Sequence, residues 1–562
     1  MINRRRSSTY KGLAILVLLM VTTIPLSVTV ATSTIKQSQV SNFGIPVAQH
    51  APITPSFWAK SYGGSNFDIA YAIQNTSDGG YIVAGTTNSS GAGSNDAWVF
   101  KLNSTGSIIW QKSYGGPYYD DAASIQQTAD GGYIAAGTTY SFGAQTGDFW
   151  LLRLNSDGSI AWQKTYGGTG DDEAYCVRQT ADGGYIVAGT TNSFGTIGYD
   201  IWLLKLYANG SIAWSKTYGG SYDDKAYSVQ QTTDGGYIVA GSTNSFDGGS
   251  YDHAWLLKLN STGGITWQNT YGGYRNDEAS SVQQTADGGY IVAGDTNSSG
   301  AGYDDFWVFK LNSNGSLVWS YTYGGASDYD DAYSIEQTAD GGYIVAGTTY
   351  SFGAGSGDFW LIQLNSVGQI VWQNTYGGSN DDEVYSVRQT PDGGYIVAGT
   401  TASFGVGTYN VWVVKLGTGG SITWGSGSGA STSTTSIFPY AFSATNSTTS
   451  VTPVSRTVIV LNTGVTPQET SATVTEQSPE TIFAPSSGIP LTIIIVAGVG
   501  IVLLLAVVVA VLRSRGRRSV RGGPFSRPSQ QRPAMAQPAI FPYCGARNVP
   551  GARYCENCGA SL

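Results

Sequence analysis

Short runs of alternating apolar and polar residues recur along most of this chain, each too short for a helix and bounded by turn residues. Within residues 173–217, four runs read as strands: Glu173–Gln179, Tyr185–Thr191, Ile201–Leu206 and Ser211–Thr217. Asp182-Gly183-Gly184 and Asn209-Gly210 separate them, and Asn, Asp and Gly accept the positive φ of tight turns at low cost. The same pattern repeats. Tyr-Gly-Gly begins at Tyr62, Tyr114, Tyr166, Tyr218, Tyr271, Tyr323 and Tyr376, at spacings of 52 or 53 residues. Asp-Gly-Gly-Tyr-Ile begins at Asp78, Asp130, Asp182, Asp234, Asp287, Asp340 and Asp392.

Seven units of four strands predict an all-β fold, a seven-bladed β-propeller of four-stranded blades over residues 57–424. The 15 tryptophans follow the units. Seven fall in third strands (Trp98, Trp150, Trp202, Trp255, Trp307, Trp360, Trp412) and eight in fourth strands (Trp58, Trp110, Trp162, Trp214, Trp267, Trp319, Trp372, Trp424). Trp58 precedes the first full unit, so a terminal strand is expected to complete the last blade, bringing Trp58 and Trp424 together.

The segment Lys101-Leu102-Asn103-Ser104-Thr105-Gly106-Ser107-Ile108-Ile109-Trp110 is similar to the tryptophan-docking repeat of quinoprotein propellers, although its approach to the turn is one residue shorter. The Gly-Gly-Tyr-Ile-Val-Ala-Gly strand resembles those of kelch-type blades. Both resemblances imply a propeller, and neither implies an activity, because propellers host many unrelated functions.

Outside the repeats the hydropathy pattern changes. Residues 1–31 carry Arg4, Arg5, Arg6 and Lys11 before an apolar run, the form of a signal peptide or signal anchor, with a linker at 32–56. Residues 489–512 hold no charge and are long enough for one transmembrane helix; Arg513, Arg515, Arg517, Arg518 and Arg521 follow and orient the C-terminus to the cytoplasm. Residues 425–488, rich in Ser, Thr and Pro without a clear period, read as a stalk, and 513–539 as a basic Pro/Arg linker. Charge agrees with this topology. Residues 57–424 hold 14 basic against 34 acidic residues, and 513–562 hold nine basic against one acidic. The expected location is therefore the cell membrane, single-pass, with the propeller outside.

Residues 540–562 resemble a small zinc ribbon. Cys544, Cys555 and Cys558 occupy ligand positions, and Phe541 stands where a fourth cysteine belongs, so this tail implies a zinc site lacking one ligand. The fourth cysteine of the chain, Cys176, reads as a buried thiol, and His253 as a lone histidine without a role.

Candidate chemistry in the propeller is sparse. Asp120/Asp121, Asp171/Asp172, Asp223/Asp224, Asp330/Asp331 and Asp381/Asp382 precede first strands, where paired carboxylates suit Ca²⁺ or acid–base work, or simply open turns. No unit stands out from the others. Tyr118, Tyr119, Tyr140 and Tyr350 vary between units and are ligand candidates. Asn75, Asn88, Asn103, Asn209, Asn260, Asn297, Asn314 and Asn446 lie in glycosylation sequons.

The expected function is non-catalytic: binding, adhesion or surface structure, with a glycan or protein ligand and no nucleic acid. The alternative is an exported propeller enzyme, either a quinone-dependent dehydrogenase or a glycoside-active one.

Overall fold

The computed structural model describes residues 57–422 except 145, 247–248, 301 and 327, together with the backbone of 440–441, 447–448, 454–455, 459–462, 468–469 and 473–476. The signal segment, the apolar segment 489–512, Trp424, Phe541, Cys544, Cys555 and Cys558 lie outside the described residues. Among those described, no helix is long and apolar enough to cross a membrane.

Seven antiparallel sheets form seven blades. In blade 3 the strands are Asp172–Gln179, Tyr185–Thr191, Asp200–Leu206 and Ile212–Tyr218, in that order from the channel outward. The sequence boundaries hold to within one residue. Second and third strands are buried on both faces, because each blade is sandwiched between two others. That is why Tyr-Ile-Val-Ala-Gly and Ile-Trp-Leu-Leu read as continuous apolar runs. Ile, Val, Leu and Trp from neighbouring sheets interdigitate between blades, so each core belongs to a pair of blades.

The ring closes with strands from both ends of the domain. Blade 7 takes Asp382–Gln389, Tyr395–Thr401 and Asn410–Leu416 from the last unit. Its fourth strand is Trp58–Gly63, paired antiparallel from Trp58↔Lys415 to Tyr62↔Val411. Trp58 therefore fills the fourth-strand position of blade 7 that the last unit's own sequence assigned to Trp424.

Fourth strands also dock each blade on the next. Tyr166 Oη donates to Gly210 O at 2.6 Å, and Trp162 Nε1 to Ala208 O at 3.3 Å. The closing strand repeats this on blade 1 through Tyr62 Oη to Gly106 O at 2.6 Å and Trp58 Nε1 to Ser104 O at 3.1 Å. Gly106 has φ +76°, and a Cβ there would sit 2.8 Å from the Trp58 ring, so both turn geometry and docking demand glycine.

The Asp-Gly-Gly turns are clipped in the same way. Asp182 accepts from Thr180 Oγ1 at 2.5 Å and pairs with Lys205 Nζ at 2.9 Å, and its equivalents pair with Lys101, Arg153, Lys258, Lys310 and Lys415. Blade 6 has Gln363 in the basic position, 3.4 Å from Asp340.

The segment expected to be a stalk behaves differently. Its described residues are six short strands, each added antiparallel to the outer strand of a blade. An exposed sheet edge presents unpaired N–H and C=O groups, and a Ser/Thr-rich extended chain can satisfy them without apolar side chains.

Candidate functional site

First strands from all seven blades surround a central channel. Six of them open with an aspartate, and in blade 2 the matching Asp120 bridges to Thr139 just ahead of the strand Ser124–Gln127; the role of these aspartates is settled by their partners. Asp172 is buried; its carboxylate accepts from Thr191 Oγ1, from Ser193 Oγ at 2.7 Å and from Gly168 N at 2.9 Å. Asp68, Asp120, Asp224, Asp277 and Asp330 accept from the equivalent threonine, and Asp382 accepts from Gly378 N at 2.7 Å. One aspartate of each pair is thus a tether between the first strand and the loop after the second. Asp172, Asp224, Asp330 and Asp382 begin their strands instead of preceding them, whereas Asp120/Asp121 precedes its strand as the spacing led one to expect. Among the described residues no three His, Cys, Asp or Glu side chains are arranged to hold a metal ion.

The next position faces the channel and differs from blade to blade: Ile69, Asp121, Glu173, Lys225, Glu278, Asp331 and Glu383. Five acids and one lysine thus gather at one end. Tyrosines support them. Tyr175 Oη donates to Glu173 and Tyr385 Oη to Glu383, while Tyr119 Oη lies 3.3 Å from Asp121 and Tyr350 Oη 3.4 Å from Glu383. Tyr71, Tyr333 and Tyr385 meet ring to ring across adjacent blades, as do Tyr175 and Tyr227. Burial in this narrow space pushes Asp121 up to about 7 and Asp331 to about 8, the latter aided by Asp304, Asp330 and Glu278.

Blade 5 is unlike the others. Where its neighbours carry threonine or serine in the second strand, it carries Asp295, set against Glu278, Asp331, Asp304 and Asp277. Burial first, then these four charges, raise its carboxyl well above the usual range. The tyrosine that blades 1, 3, 4, 6 and 7 carry three positions after the tether aspartate is Ser280 here and Ala123 in blade 2. The expectation that no unit stands out is therefore corrected: Gly294-Asp295-Thr296 breaks the Gly-Thr-Thr pattern, a one-residue signal that matters because the fold brings four other carboxylates to it.

Of the tyrosines singled out from sequence, Tyr119, Tyr140 and Tyr350 lie at this acidic end, Tyr119 and Tyr140 edge to face at 6.1 Å. Tyr118 is exposed, and so are Tyr222, Tyr251, Tyr274 and Tyr303 in loops of the same face. Tyr303 stacks on Tyr329 at 5.1 Å.

The other end of the channel is a cavity of ≈ 350 Å³ ringed by Gln74, Gln126, Arg178, Gln230, Gln283, Glu336 and Arg388. Sequence reasoning missed this ring, since its residues sit in plain strand positions. Four are glutamines, and three of these bind across seams: Gln126, Gln230 and Gln283 each accept the backbone N–H of the next blade at 2.6 Å. Arg178 and Arg388 break the pattern. Each donates to a serine of the preceding blade, Ser124 at 3.1 Å and Ser334 at 3.5 Å. Burial lowers the Arg388 pKa from its ordinary value, Glu336 offsets this, and the Arg178 charge adds to the lowering.

Cys176 is a buried free thiol at a blade seam, 3.7 Å from Val229 O, in the position that most blades give to serine. His253 starts a third strand where other blades have aspartate or asparagine.

A family described as a domain of unknown function (DUF5122) beta-propeller matches residues 128–160 and 285–317, the second and third strands of blades 2 and 5 with the turn that follows. No curated protein matches the chain. Among solved structures, the chain is similar to the Pan2 WD40 domain of Neurospora crassa, at 13% identity over 62% of this chain and 88% of that one, TM-score 0.39. It is also similar to Sqt1 of Chaetomium thermophilum bound to the N-terminus of ribosomal protein L10, at 12% identity over 63% and 98%, TM-score 0.34. The described part of this chain is a seven-bladed β-propeller of four-stranded blades with matches to a beta-propeller family of unknown function.

Proposed function

We propose that this is a membrane-anchored cell-surface propeller that binds a ligand without transforming it, at the two ends of its channel. One observation carries this reading. Within the strands, where turns, clips and cores are nearly constant, channel-facing positions of the first strands differ from blade to blade, giving an acidic, tyrosine-supported end and an end with two arginines. Packing demands would make these positions uniform; a ligand that is not sevenfold symmetric would make them differ. Paired guanidiniums in a cavity of this size suit an anionic group such as a carboxylate, with glutamine amides orienting the rest. The quinoprotein-like and kelch-like repeats, the exported topology, and a zinc-ribbon tail held by Cys544, Cys555 and Cys558 belong to the same reading.

A glycan and acidic-peptide array probed with the protein tests it. Binding that is lost in Arg178→Gln/Arg388→Gln, which restores the glutamine of four other blades, supports the arginine end as the site. Binding unchanged in that variant removes it.

The carboxylates around Asp295 favour a second reading, a glycoside-active enzyme, because environment separates them from the ionised surface acids. Turnover of a glycoside that Asp295→Thr abolishes would select this alternative.

A further inference from the structure

The six short strands on the outer edge follow a strict count. Opposite the residue that precedes the Tyr-Gly-Gly tyrosine, the partners are Tyr440 on Thr322 of blade 5, Ser447 on Thr270 of blade 4 and Val454 on Thr217 of blade 3. They continue as Leu461 on Thr165 of blade 2, Gln468 on Ser113 of blade 1 and Thr475 on Ser61 of blade 7. Every step is seven residues and one blade, so the segment travels round the ring against the order of the blades. Seven extended residues reach about 23 Å, enough for a paired stretch and a crossing to the next edge.

With this register as a guide, a repeat becomes visible in a stretch that otherwise reads as low complexity. Units begin at Ile437, Ala444, Val451, Val458, Val465 and Ala472, and proline precedes the edge-paired residue in alternate units, at Pro439, Pro453 and Pro467. The preceding seven residues continue the series. Ala430-Ser431-Thr432-Ser433-Thr434-Thr435-Ser436 matches Ala444-Thr445-Asn446-Ser447-Thr448-Thr449-Ser450 at five of seven positions.

We infer that residues 430–436 are the missing unit and add a fifth strand to blade 6, with Ser433 opposite Thr375 and Thr434 opposite Asn374. Blade 6 precedes blade 5 on the reversed path, and its sheet is four-stranded among the described residues. Residues 430–478 are then seven heptads for seven blades, a belt that covers every outer edge. The belt makes this Ser/Thr-rich segment part of the propeller, and only residues 479–488 remain as a spacer before Ile489. The occupant of the blade 6 edge is this chain's own segment because the period places it there and its sequence repeats that of the blade 4 unit.

Disulfide trapping in the full chain tests the register. Directly opposed antiparallel residues have Cα atoms about 4.5–5.5 Å apart, within reach of a disulfide. Ser433→Cys with Thr375→Cys is expected to link as efficiently as the control Tyr440→Cys with Thr322→Cys, with the linked peptides identified by mass. Ser436→Cys with Thr375→Cys, three residues out of register, is expected to link about tenfold less, since its effective concentration is lower. Near-ultraviolet circular dichroism shows that each variant is folded. A control that links while 433–375 does not overturns the proposal, as does equal linkage of the shifted pair. Failure of both pairs in folded protein removes the belt altogether, and a link between two chains through position 375 assigns the edge to a second copy instead.

Discussion

Asn75 Nδ2 donates to Gln389 O at 2.7 Å, joining the first blade to the last. The other six seams use a longer amide in the opposite sense. Gln127, Gln179, Gln231, Gln284, Gln337 and Gln389 each accept, through Oε1, the N–H of a turn residue in the preceding blade at 2.8–2.9 Å. At the closing seam that turn residue is Pro391, which has no N–H to give. The shorter asparagine and the proline are two halves of one substitution.

Asn75→Ala is therefore expected to destabilise the propeller by about 1 kcal/mol, the net value of one such hydrogen bond. Asn75→Gln combined with Pro391→Ala recreates the contact of the other seams and should fall within about 0.5 kcal/mol of the parent. Denaturant unfolding followed by tryptophan fluorescence measures both; a double variant weaker than Asn75→Ala would break the link between the two residues. Asn75 heads a sequon, and its use in closure predicts that glycopeptide mapping finds it unmodified.

Stability should fall as pH rises from about 4 to about 8. Asp121 and Asp331 are raised to about 7 and about 8 by burial, from 3.8. A folded state that holds protons the unfolded chain releases loses stability through that interval. Asp331→Asn should flatten the slope of melting temperature against pH between 5 and 8. A melting temperature that climbs over this range would contradict the assignment.

The turn aspartates act at the other end of the scale. Burial works against Asp182, but hydrogen bonds from Thr180 and Lys205 outweigh it and hold the carboxyl at about 2. Asp78, Asp234 and Asp287 stand at the same value. Their contribution is present above the unfolded value of 3.8 and is lost as pH falls toward 2. Blade 6 lacks this ion pair, so Gln363→Lys should add up to about 0.5 kcal/mol, the scale of a pair with one solvent-exposed partner. Salt should erase the gain; a gain that persists in 1 M salt would point to packing instead.

Tyr62→Phe tests the ring closure more directly. It removes the buried donor to Gly106 O and leaves that carbonyl unsatisfied, a cost of about 1–3 kcal/mol. Tyr218→Phe makes the same change at an internal seam, Gly263 O, and should cost the same at equilibrium. The two should separate in unfolding rate, with Tyr62→Phe faster, because the closing strand is held to blade 7 without a covalent hairpin.

Much of this architecture was legible because a repeat announces itself. Tyr-Gly-Gly, Asp-Gly-Gly-Tyr-Ile and the paired tryptophans each mark a strand or turn whose chemistry is local: Gly106 needs its positive φ, and Asp182 needs Thr180 two residues away. The carboxylate pairs were legible as pairs. Their separate fates were not, because Asp172 is defined by Thr191 and Ser193 across a strand pair, whereas Glu173 is defined by what faces it across the channel.

The number of blades, the strands within each and the terminal strand that closes the ring could all be read before folding, since they follow from residue type and spacing along a single chain. Which variations matter depends on the folded ring. Asp295, Arg178 and Arg388 are single departures in otherwise regular strands, and they become a carboxylate cluster and a guanidinium pair because seven first strands converge on one axis. The heptads of residues 437–478 are equally weak as sequence, with serine and threonine carrying no amphipathic signal. Their period is set by the distance between neighbouring blade edges, and that distance exists only once the ring is closed.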